Sequence, residues 1–160
     1  MTGRWVSVVT IALVVSSGVA VPRVGSSQPS PSARRYTLHA LGRCLDVAGG
    51  VSANGRGVQL YECNGTPAQE WTFSGETISA LGRCLDVEGA VGRDGQRVQL
   101  YECNRTIAQR WTTTGGTIRS VLGRCLDVAG GVSANGQGVQ PYQCNGTPAQ
   151  TWTLEPVPGP

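Results

Sequence analysis

The sequence predicts an all-β fold made of three copies of one unit. The hexapeptide Gly-Arg-Cys-Leu-Asp-Val occurs three times, beginning at Gly42, Gly82 and Gly123, and each copy is followed by a Gln-x-Trp triplet. Equivalent cysteines lie 40 and then 41 residues apart. A period of this length indicates a supersecondary unit that buries its apolar face only by packing against its copies. Glycine is abundant, with 23 of 160 residues, and helical periodicity is absent from the repeats, so we expect strands joined by turns.

Each repeat contains four segments with the character of short strands. In the first repeat these are Tyr36–Leu38, Arg43–Val47, Val58–Tyr61 and Gln69–Phe73, and a long Gly/Asn-rich turn separates the second from the third. Three repeats then give twelve strands. A closed barrel with hairpin caps would protect most of their edges from pairing with other chains. The tryptophans of the Gln-x-Trp triplets are predicted to be core residues because of their bulk.

The repeats are predicted to form one domain over residues 36–155, divided at about 36–75, 76–115 and 116–155. Residues 1–20 combine Arg4, an apolar run from Trp5 to Val15 and five small residues, which is typical of a secretory signal peptide. A membrane anchor is the alternative, but an anchor needs about 20 apolar residues and this run is shorter. We therefore expect cleavage near Ala20 and a secreted, extracellular protein without a membrane span.

Two segments outside the repeats are rich in proline. Residues 21–35 form a Pro/Ser-rich stretch that is predicted to be a flexible linker, and residues 156–160 form a similar tail. The net charge is only +3, lysine is absent, and the arginines of the repeats alternate with acidic residues. Electrostatic capture of nucleic acid is therefore not expected. Separately, we expect the protein to be a monomer.

All six cysteines lie in the repeats, and the two cysteines of each repeat are 19 residues apart. In an exported protein this pattern predicts disulfides. A threefold pattern permits pairing within each repeat or a cyclic exchange between repeats, and pairing within the repeat is the simpler arrangement. Each such bond closes a loop of about 20 residues and stabilises the fold by roughly 3 kcal/mol. The cysteines are Cys44, Cys63, Cys84, Cys103, Cys125 and Cys144.

Neither a metal nor another cofactor is expected. Structural zinc sites use ligand pairs two to four residues apart, whereas this chain has no Cys-x-x-Cys motif and a single histidine, His39. An enzyme is not expected either. Each repeat carries one aspartate at a fixed position, and the nearby Glu62 and Glu102 correspond to Gln143 in the third repeat. No repeated nucleophile–base pair or pair of carboxyl groups is therefore indicated.

The repeated motifs Cys-Leu-Asp-Val, Val-Gln-x-Tyr, Cys-Asn and Gln-x-Trp, in register three times over about residues 36–155, resemble those of the ricin-type β-trefoil lectin family. This family is also classed as carbohydrate-binding module family 13, and the chain looks like a secreted, bacterial-like form. The resemblance implies a β-trefoil of three four-stranded repeats with pseudo-threefold symmetry and one disulfide per repeat. It also implies binding of glycans or polysaccharides.

A sugar offers an apolar ring face and a set of hydroxyl groups, so its site needs an aromatic ring and fixed polar groups. In the family, the Asp of Cys-Leu-Asp binds adjacent hydroxyls, the aromatic residue of Val-Gln-x-aromatic stacks on the ring, and nearby polar residues complete the site. The glutamines of Gln-x-Trp are expected mainly to satisfy backbone groups. The candidate sugar-binding residues are Asp46, Gln59, Tyr61, Asn64 and Gln69 in the first repeat, Asp86, Gln99, Tyr101, Asn104 and Gln109 in the second, and Asp127, Gln140, Tyr142, Asn145 and Gln150 in the third.

Some of these residues have a competing structural role. The aspartates could instead bond amides of the Gly-rich turn, although Asn54, Asp94 and Asn135 are available for that purpose. The tyrosines could be ordinary strand residues. Cys-Asn-Gly is also typical of a turn.

The three repeats depart from the family pattern and from each other. Many galactose-binding members have Asn before Gln-x-Trp, whereas this chain has Ala68, Ala108 and Ala149. One hydrogen bond of the family pattern is therefore missing from each site, which implies weak binding or a preferred sugar other than galactose. The expected ligands are sugars of the galactose or xylose type, or a polysaccharide.

The second repeat is the most charged and is expected to prefer an acidic sugar or not to bind. In the third repeat Pro141 removes a strand amide beside Tyr142, so the first repeat is the best candidate for a working site.

A protein-binding β-trefoil such as a protease inhibitor is the alternative function. That reading predicts one distinctive exposed loop. The Gly/Asn-rich turns of the first and third repeats are instead nearly the same in sequence, which favours repeated sites for small ligands.

Overall fold

The computed structural model describes Gly3 and residues 33–159. The rest of the predicted signal peptide, residues 21–32 of the predicted linker and Pro160 lie outside the described residues. The first strand begins at Arg34 and the last ends at Pro156, so the ordered strands extend slightly beyond the predicted domain at both ends. No helix among the described residues has the length and apolar character needed to cross a membrane.

The described residues form twelve β-strands, four in each repeat, which confirms the predicted all-β class. The strands are β1 (Arg34–Ala40), β2 (Arg43–Val47), β3 (Arg56–Tyr61), β4 (Trp71–Ser74), β5 (Thr77–Ala80), β6 (Arg83–Val87), β7 (Val98–Tyr101), β8 (Trp111–Thr114), β9 (Thr117–Ser120), β10 (Cys125–Val128), β11 (Gln137–Tyr142) and β12 (Thr153–Pro156).

Six short 3₁₀ turns, two in each repeat, connect the strands. They are Ala48–Gly50, Pro67–Gln69, Glu88–Ala90, Ile107–Gln109, Ala129–Gly131 and Pro148–Gln150.

The predicted start of the fourth strand at Gln69 is wrong. Gln69 closes the turn Pro67–Gln69, in which the amide of Glu70 donates to the carbonyl of Pro67 (3.3 Å), and the strand begins at Trp71. Proline has its φ already fixed near the value of a first helical residue, so it favours a turn at this point. The turn places the Gln69 side chain in the interior instead of on a strand surface.

Six strands, β1, β4, β5, β8, β9 and β12, form a closed ring. β1 pairs with β12 and β4, β4 with β5, and β8 with β9. The two remaining junctions are held by backbone bonds, from Trp111 N to Glu76 O (2.7 Å) and from Trp152 N to Gly116 O (2.7 Å). The ring is the barrel that the strand count predicted.

The other six strands form three hairpins, β2–β3, β6–β7 and β10–β11, with identical registers. In the first hairpin Asp46 lies opposite Gln59, and the equivalent aspartates and glutamines are opposite each other in the second and third. β3 also pairs with β7 and β11, so the three hairpins meet around the pseudo-threefold axis. Register decides which side of a strand each residue faces, so the shared register gives the three repeats the same arrangement of surface side chains.

Pro141 interrupts the contact between two hairpins. Leu60 in β3 pairs with Gln137 of β11, and Leu100 in β7 pairs with Arg56 of β3, whereas in the described residues β7 and β11 share no such pair. Proline has no amide hydrogen to donate. A single bond from Gly95 N to Pro141 O (3.0 Å) remains, and β10 still pairs with β11 in the common register. The missing amide therefore affects the contact between repeats and leaves the hairpin of the third repeat intact.

The tryptophans of the Gln-x-Trp triplets are buried in the core, as predicted, with at most 2% of their surface exposed. The indole N–H of Trp71 donates to the carbonyl of Leu45 (2.9 Å). The same bond joins Trp111 to Leu85 and Trp152 to Leu126, also at 2.9 Å. Each tryptophan therefore fills the core and satisfies a buried carbonyl of its own repeat.

The disulfides pair cysteines within each repeat, as the simpler arrangement predicted. They join Cys44 to Cys63, Cys84 to Cys103, and Cys125 to Cys144. His39 is half-buried against the first bond, with its Nδ1 atom 3.4 Å from both sulfur atoms. Both sulfurs are in the disulfide, so neither is present as the thiolate that a metal requires.

We predict that Trp71→Phe lowers the free energy of unfolding by about 2 to 3 kcal/mol. The change leaves a small cavity and an unpaired buried carbonyl at Leu45. Denaturant unfolding with the disulfides intact, followed by far-UV circular dichroism, measures the loss. Trp111→Phe and Trp152→Phe should give similar losses because the three environments match. An unchanged midpoint in all three variants would contradict this account of the core.

Candidate functional site

Each repeat carries one surface cleft, and the three clefts have volumes of about 520, 560 and 480 Å³. We call them site 1, site 2 and site 3 after their repeats. Each is lined by an aspartate, a glutamine, a tyrosine, an asparagine, a threonine and an alanine. These are Asp46, Gln59, Tyr61, Asn64, Thr66 and Ala68 in site 1, Asp86, Gln99, Tyr101, Asn104, Thr106 and Ala108 in site 2, and Asp127, Gln140, Tyr142, Asn145, Thr147 and Ala149 in site 3.

The pairing of the hairpin brings the first three residues together. In site 1, Asp46 on β2 lies opposite Gln59 on β3, and Tyr61 lies two residues further along the same strand. Side chains two residues apart face the same side of a strand. The hairpin therefore places a carboxylate, an amide and an aromatic ring in one cleft wall, and the same pairing operates in the other two repeats.

Two glutamine side chains hold the carboxylate of Asp46. Gln59 Nε2 donates to Oδ1 (3.0 Å), and Gln69 Nε2 donates to Oδ2 (3.2 Å). Each carboxylate oxygen can accept more than one hydrogen bond. Asp46 is only 4% exposed, yet it lines the cleft, so the carboxylate keeps acceptor capacity towards a ligand.

Gln69 links the site to the backbone behind it. Besides contacting Asp46, its Nε2 atom donates to the carbonyl of Glu62 (2.8 Å), and its Oε1 atom accepts from the amide of Asn64 (2.9 Å). The equivalent bonds in repeats 2 and 3 have lengths of 2.8 to 3.1 Å. The backbone role expected for these glutamines is therefore observed in all three repeats.

The glutamines of the Gln-x-Trp triplets were also candidates for sugar contact. Gln69, Gln109 and Gln150 are at most 2% exposed, and none of them lines a cleft. Each lies directly behind an aspartate. Their position is that of residues that orient the aspartate from the interior.

The asparagine and threonine of each site form one turn. In site 1, the amide and hydroxyl of Thr66 donate to Asn64 Oδ1 (3.1 and 2.8 Å), and sites 2 and 3 repeat this geometry. The turn character of Cys-Asn-Gly is thus confirmed, and within residues 33–159 the asparagine Nδ2 group donates to no other side chain or carbonyl. The sequence reasoning did not select the threonines, although the spacing Asn-x-Thr recurs in all three repeats.

Each site also receives support from another repeat. Asn135, in the third repeat, accepts a bond from the amide of Glu62 (2.8 Å) and another from the guanidinium of Arg43. Asn54 does the same for repeat 2. Asp94, their counterpart, is bound to Arg124 Nε (2.7 Å). The expectation that these side chains serve their own turns is wrong, because they bridge between repeats.

The side chains that make repeat 2 the most charged lie outside site 2. Of Arg93, Asp94, Arg97 and Arg105, none lines the cleft. Arg97 is paired with Glu88 (3.8 Å) and donates to the carbonyl of Gly55 (2.5 Å). The charged side chains that do line site 2, Asp86 and Glu88, are both acidic, so this lining offers no cation that would favour an acidic sugar.

Comparisons with known proteins agree with this geometry. Residues 76–158 match the family model of the ricin-type β-trefoil lectin domain. No curated protein sequence matches the chain. Among solved structures, the designed threefold-symmetric protein ThreeFoil has 28% identity and a TM-score of 0.72, and the match covers 77% of this chain and 99% of that one.

Two larger natural proteins are also similar. The exo-β-1,3-galactanase 1,3Gal43A from Clostridium thermocellum has 29% identity and a TM-score of 0.72, with 79% of this chain and 31% of that one covered. A non-toxic homologue of type II RIPs from Momordica charantia, in complex with α-methyl-D-galactoside, has 25% identity and a TM-score of 0.70, with coverage of 79% and 49%. The chain therefore spans about half of the second protein and about a third of the first.

We predict that Gln69→Glu destabilises the protein by about 2 to 4 kcal/mol at pH 7, because it sets a second carboxylate against Asp46 and removes two donated bonds. Like charges raise the pKa of one carboxyl above its value in the unfolded chain. The folded variant then binds a proton that the unfolded chain releases, so the destabilisation should shrink as the pH falls from 7 to 5.

Urea unfolding of the wild type and of the Gln69→Glu variant at pH 5 and pH 7 measures how the destabilisation changes with pH. The matched control is Gln69→Leu, which removes the same donor from the buried carboxylate of Asp46 but adds no second carboxyl group, so its loss relative to the wild type should depend on pH less steeply. An equal pH dependence in the two variants would contradict repulsion between a carboxylate at position 69 and Asp46.

Proposed function

Because this chain belongs to the family of ricin-type β-trefoil lectin domains, we propose that it is a non-catalytic carbohydrate-binding protein with one sugar site in each repeat. The observation that carries the proposal is the recurrence of one set of side chains in three separate clefts. A carboxylate that accepts, an amide that donates and accepts, and a tyrosine ring match the hydroxyls and the apolar face of a pyranose.

The proposed ligands are neutral sugars of the galactose or xylose type. The likeness to a protein whose structure is known in complex with α-methyl-D-galactoside supports this class. Alanine lines each cleft at the position before Gln-x-Trp, so one side-chain hydrogen bond of the family pattern is missing. Such a bond is worth on the order of 1 kcal/mol, so each site alone should bind weakly.

Weak single sites favour a polymeric ligand. Three clefts on one disulfide-bonded domain can engage several residues of a polysaccharide or branched glycan at once, and simultaneous engagement raises the apparent affinity without new contacts. We therefore propose that the natural ligand is a polysaccharide or a glycan-coated surface. The disulfides agree with an extracellular location, and we propose that the protein is secreted and acts as a monomer.

A glycan and polysaccharide array, followed by competition with free sugars, tests the proposal against the protease-inhibitor alternative. Retention on a galactose- or xylose-containing polymer, competed by the free sugar, is the expected result. Retention of a protease with no glycan bound would overturn the lectin proposal. Incubation with the same polymers should release no reducing ends, because the protein is proposed to be non-catalytic.

We predict that the triple variant Tyr61→Ala, Tyr101→Ala and Tyr142→Ala loses retention on the polymer. Ring stacking contributes about 0.5 to 1.5 kcal/mol, so each single change should weaken its own site by about twofold to twelvefold. Affinity electrophoresis in polymer-containing gels measures this retention.

The chain offers a matched control in its fourth tyrosine. Tyr36 packs edge-on against Phe73, with ring centroids 5.4 Å apart, and lies outside the three sites. Tyr36→Ala should lower the melting temperature and leave retention unchanged. Wild-type retention by a folded triple variant would refute the assignment of the tyrosines.

We also predict that the polymer binds at least about a hundredfold more tightly than its monosaccharide, at equal concentrations of sugar residues. Calorimetry with the free sugar and with the polymer gives the two affinities. Weakening two sites with Tyr101→Ala and Tyr142→Ala should reduce the advantage towards that of one site. An advantage that survives in this double variant would mean that the three clefts do not act together.

A further inference from the structure

Two of the three sites have an apolar wall that comes from another repeat. Leu81, in the β5–β6 turn, lines site 1, and Leu41, in the β1–β2 turn, lines site 3. Site 2 has no leucine in its lining. Sites 1 and 3 therefore share a feature that the threefold repeat does not extend to site 2.

The backbone of these leucines is unusual for the residue type. Leu41 and Leu81 have φ values of +52° and +51°, and each is followed by a glycine with positive φ. They occupy the two-residue turn of a tight hairpin, since Ala40 pairs with Arg43 and Ala80 with Arg83. At this position Asn, Asp or Gly is favoured, and a bulky residue is strained. Strained positions of this kind cluster where function requires them.

Each leucine turn is bonded to a serine in the loop of the site that the leucine lines. Ser52 Oγ donates to the carbonyl of Leu81 (2.8 Å), and Ser133 Oγ donates to the carbonyl of Leu41 (2.7 Å). Ser52 belongs to the repeat of site 1, and Ser133 belongs to the repeat of site 3. The leucines are thus fixed in position next to the clefts.

The arrangement differs at site 2 because the β9–β10 connection is one residue longer. The loop Val121–Gly123 is closed by bonds from Gly123 N to Ser120 O and from Ser120 N to Arg124 O (2.9 and 2.8 Å). Leu122 takes the place of the two wall leucines in sequence. Gly92 stands where the other repeats have the serine, and a Cβ atom there would lie 2.6 Å from the carbonyl oxygen of Leu122.

Packing alone does not account for the wall. Leu122 is also partly buried against the core, as Leu41 and Leu81 are, but it has no left-handed backbone and lines none of the three sites. All three leucines contact the core, but only the two that line a site have the left-handed backbone. This gives Leu122 the properties of an internal control.

We propose that Leu41 and Leu81 are specificity-determining residues that contact a methyl group of the sugar in sites 1 and 3, on the premise that the clefts bind sugars as proposed above. The chemical class is a saccharide carrying a methyl group, on either an acetamido or a 6-deoxy substituent. Burial of one such group against leucine corresponds to a preference of about fourfold, or about 0.8 kcal/mol. Site 2 lacks the wall and does not share the preference.

The test uses the full chain with its disulfides intact and methyl-resolved NMR titration. Ala68, Ala108 and Ala149 line sites 1, 2 and 3, so their methyl resonances report each site separately. Galactose is compared with N-acetylgalactosamine in one arm and with D-fucose in the other, and the arms identify which methyl group is preferred. At Ala68 and Ala149 we expect one methyl sugar to bind about fourfold more tightly than galactose. At Ala108 we expect galactose and the methyl sugars to bind equally.

The variants separate specificity from packing. Leu41→Asn with Leu81→Asn puts a favoured residue in the left-handed turn, so the protein should remain folded while the methyl preference disappears and galactose binding persists. Leu122→Ala should lower stability and keep the preference. An equal preference at all three sites, no preference at any, or its survival in the asparagine variant would overturn the inference. No response to any sugar would instead overturn the proposed function itself.

Discussion

The buried carboxylate of each repeat determines how the hairpin and the closing Gln-x-Trp triplet of that repeat are arranged. Burying a carboxylate without hydrogen bonds costs several kcal/mol, and no cation pairs with Asp46 in the described residues. Its oxygens are satisfied by two glutamine amides instead. One of these, Gln59, lies directly across the hairpin, so a shift of one residue in register would break the contact and expose the charge to an apolar interior. The carboxylate therefore selects the hairpin register that forms the cleft.

The second glutamine extends this constraint to the chain that follows. Gln69 binds the carboxylate, the carbonyl of Glu62 and the amide of Asn64, which lie on either side of Cys63. The disulfide to Cys44 and the glutamine thus hold the same segment from two directions. The tryptophan two residues later anchors the triplet in the core. The shape of the cleft and the stability of the repeat are coupled here, because the residues that hold the cleft in shape also close the repeat.

Within this frame the repeats tolerate differences at several points. Pro141 removes one ladder pair between hairpins, and the site of its own repeat keeps its register. Ala90 and Arg105 take left-handed conformations, with φ of 54° and 60°, where the other repeats have glycine. Glycine adopts such values without steric cost, so repeat 2 carries strain that repeats 1 and 3 avoid. The asparagine bridge from the neighbouring repeat becomes an Asp–Arg ion pair at repeat 3. Each change falls outside the bonds that hold the carboxylate.

Features that recur in every repeat could be predicted from the sequence, whereas features that depend on packing between repeats could not. The threefold period, the disulfide pairing, the buried tryptophans and the grouping of Asp46, Gln59 and Tyr61 follow from motifs that recur at fixed spacing. The 3₁₀ turn before Trp71 could not be separated from a strand, because a three-residue turn has no periodicity. The bridging role of Asn135 and the leucine walls depend on how one repeat packs on another. A local sequence pattern contains no information about that packing.

The polar side chains of each cleft are already fixed by hydrogen bonds within the protein, which offsets the hydrogen bond that the cleft lacks. Fixing a free polar side chain on binding costs about 0.5 to 1.5 kcal/mol. Asp46 and Gln59 already hold each other, and Asn64 is held by its turn with Thr66, so a sugar does not have to order them. This saving is of the same size as the bond that Ala68 cannot make. In the proposed function, a cleft that is ordered in advance retains a sugar with fewer contacts than a flexible cleft would need. The disulfide-bonded domain also keeps the spacing of the three sites fixed, which the proposed binding of one polymer at two sites requires.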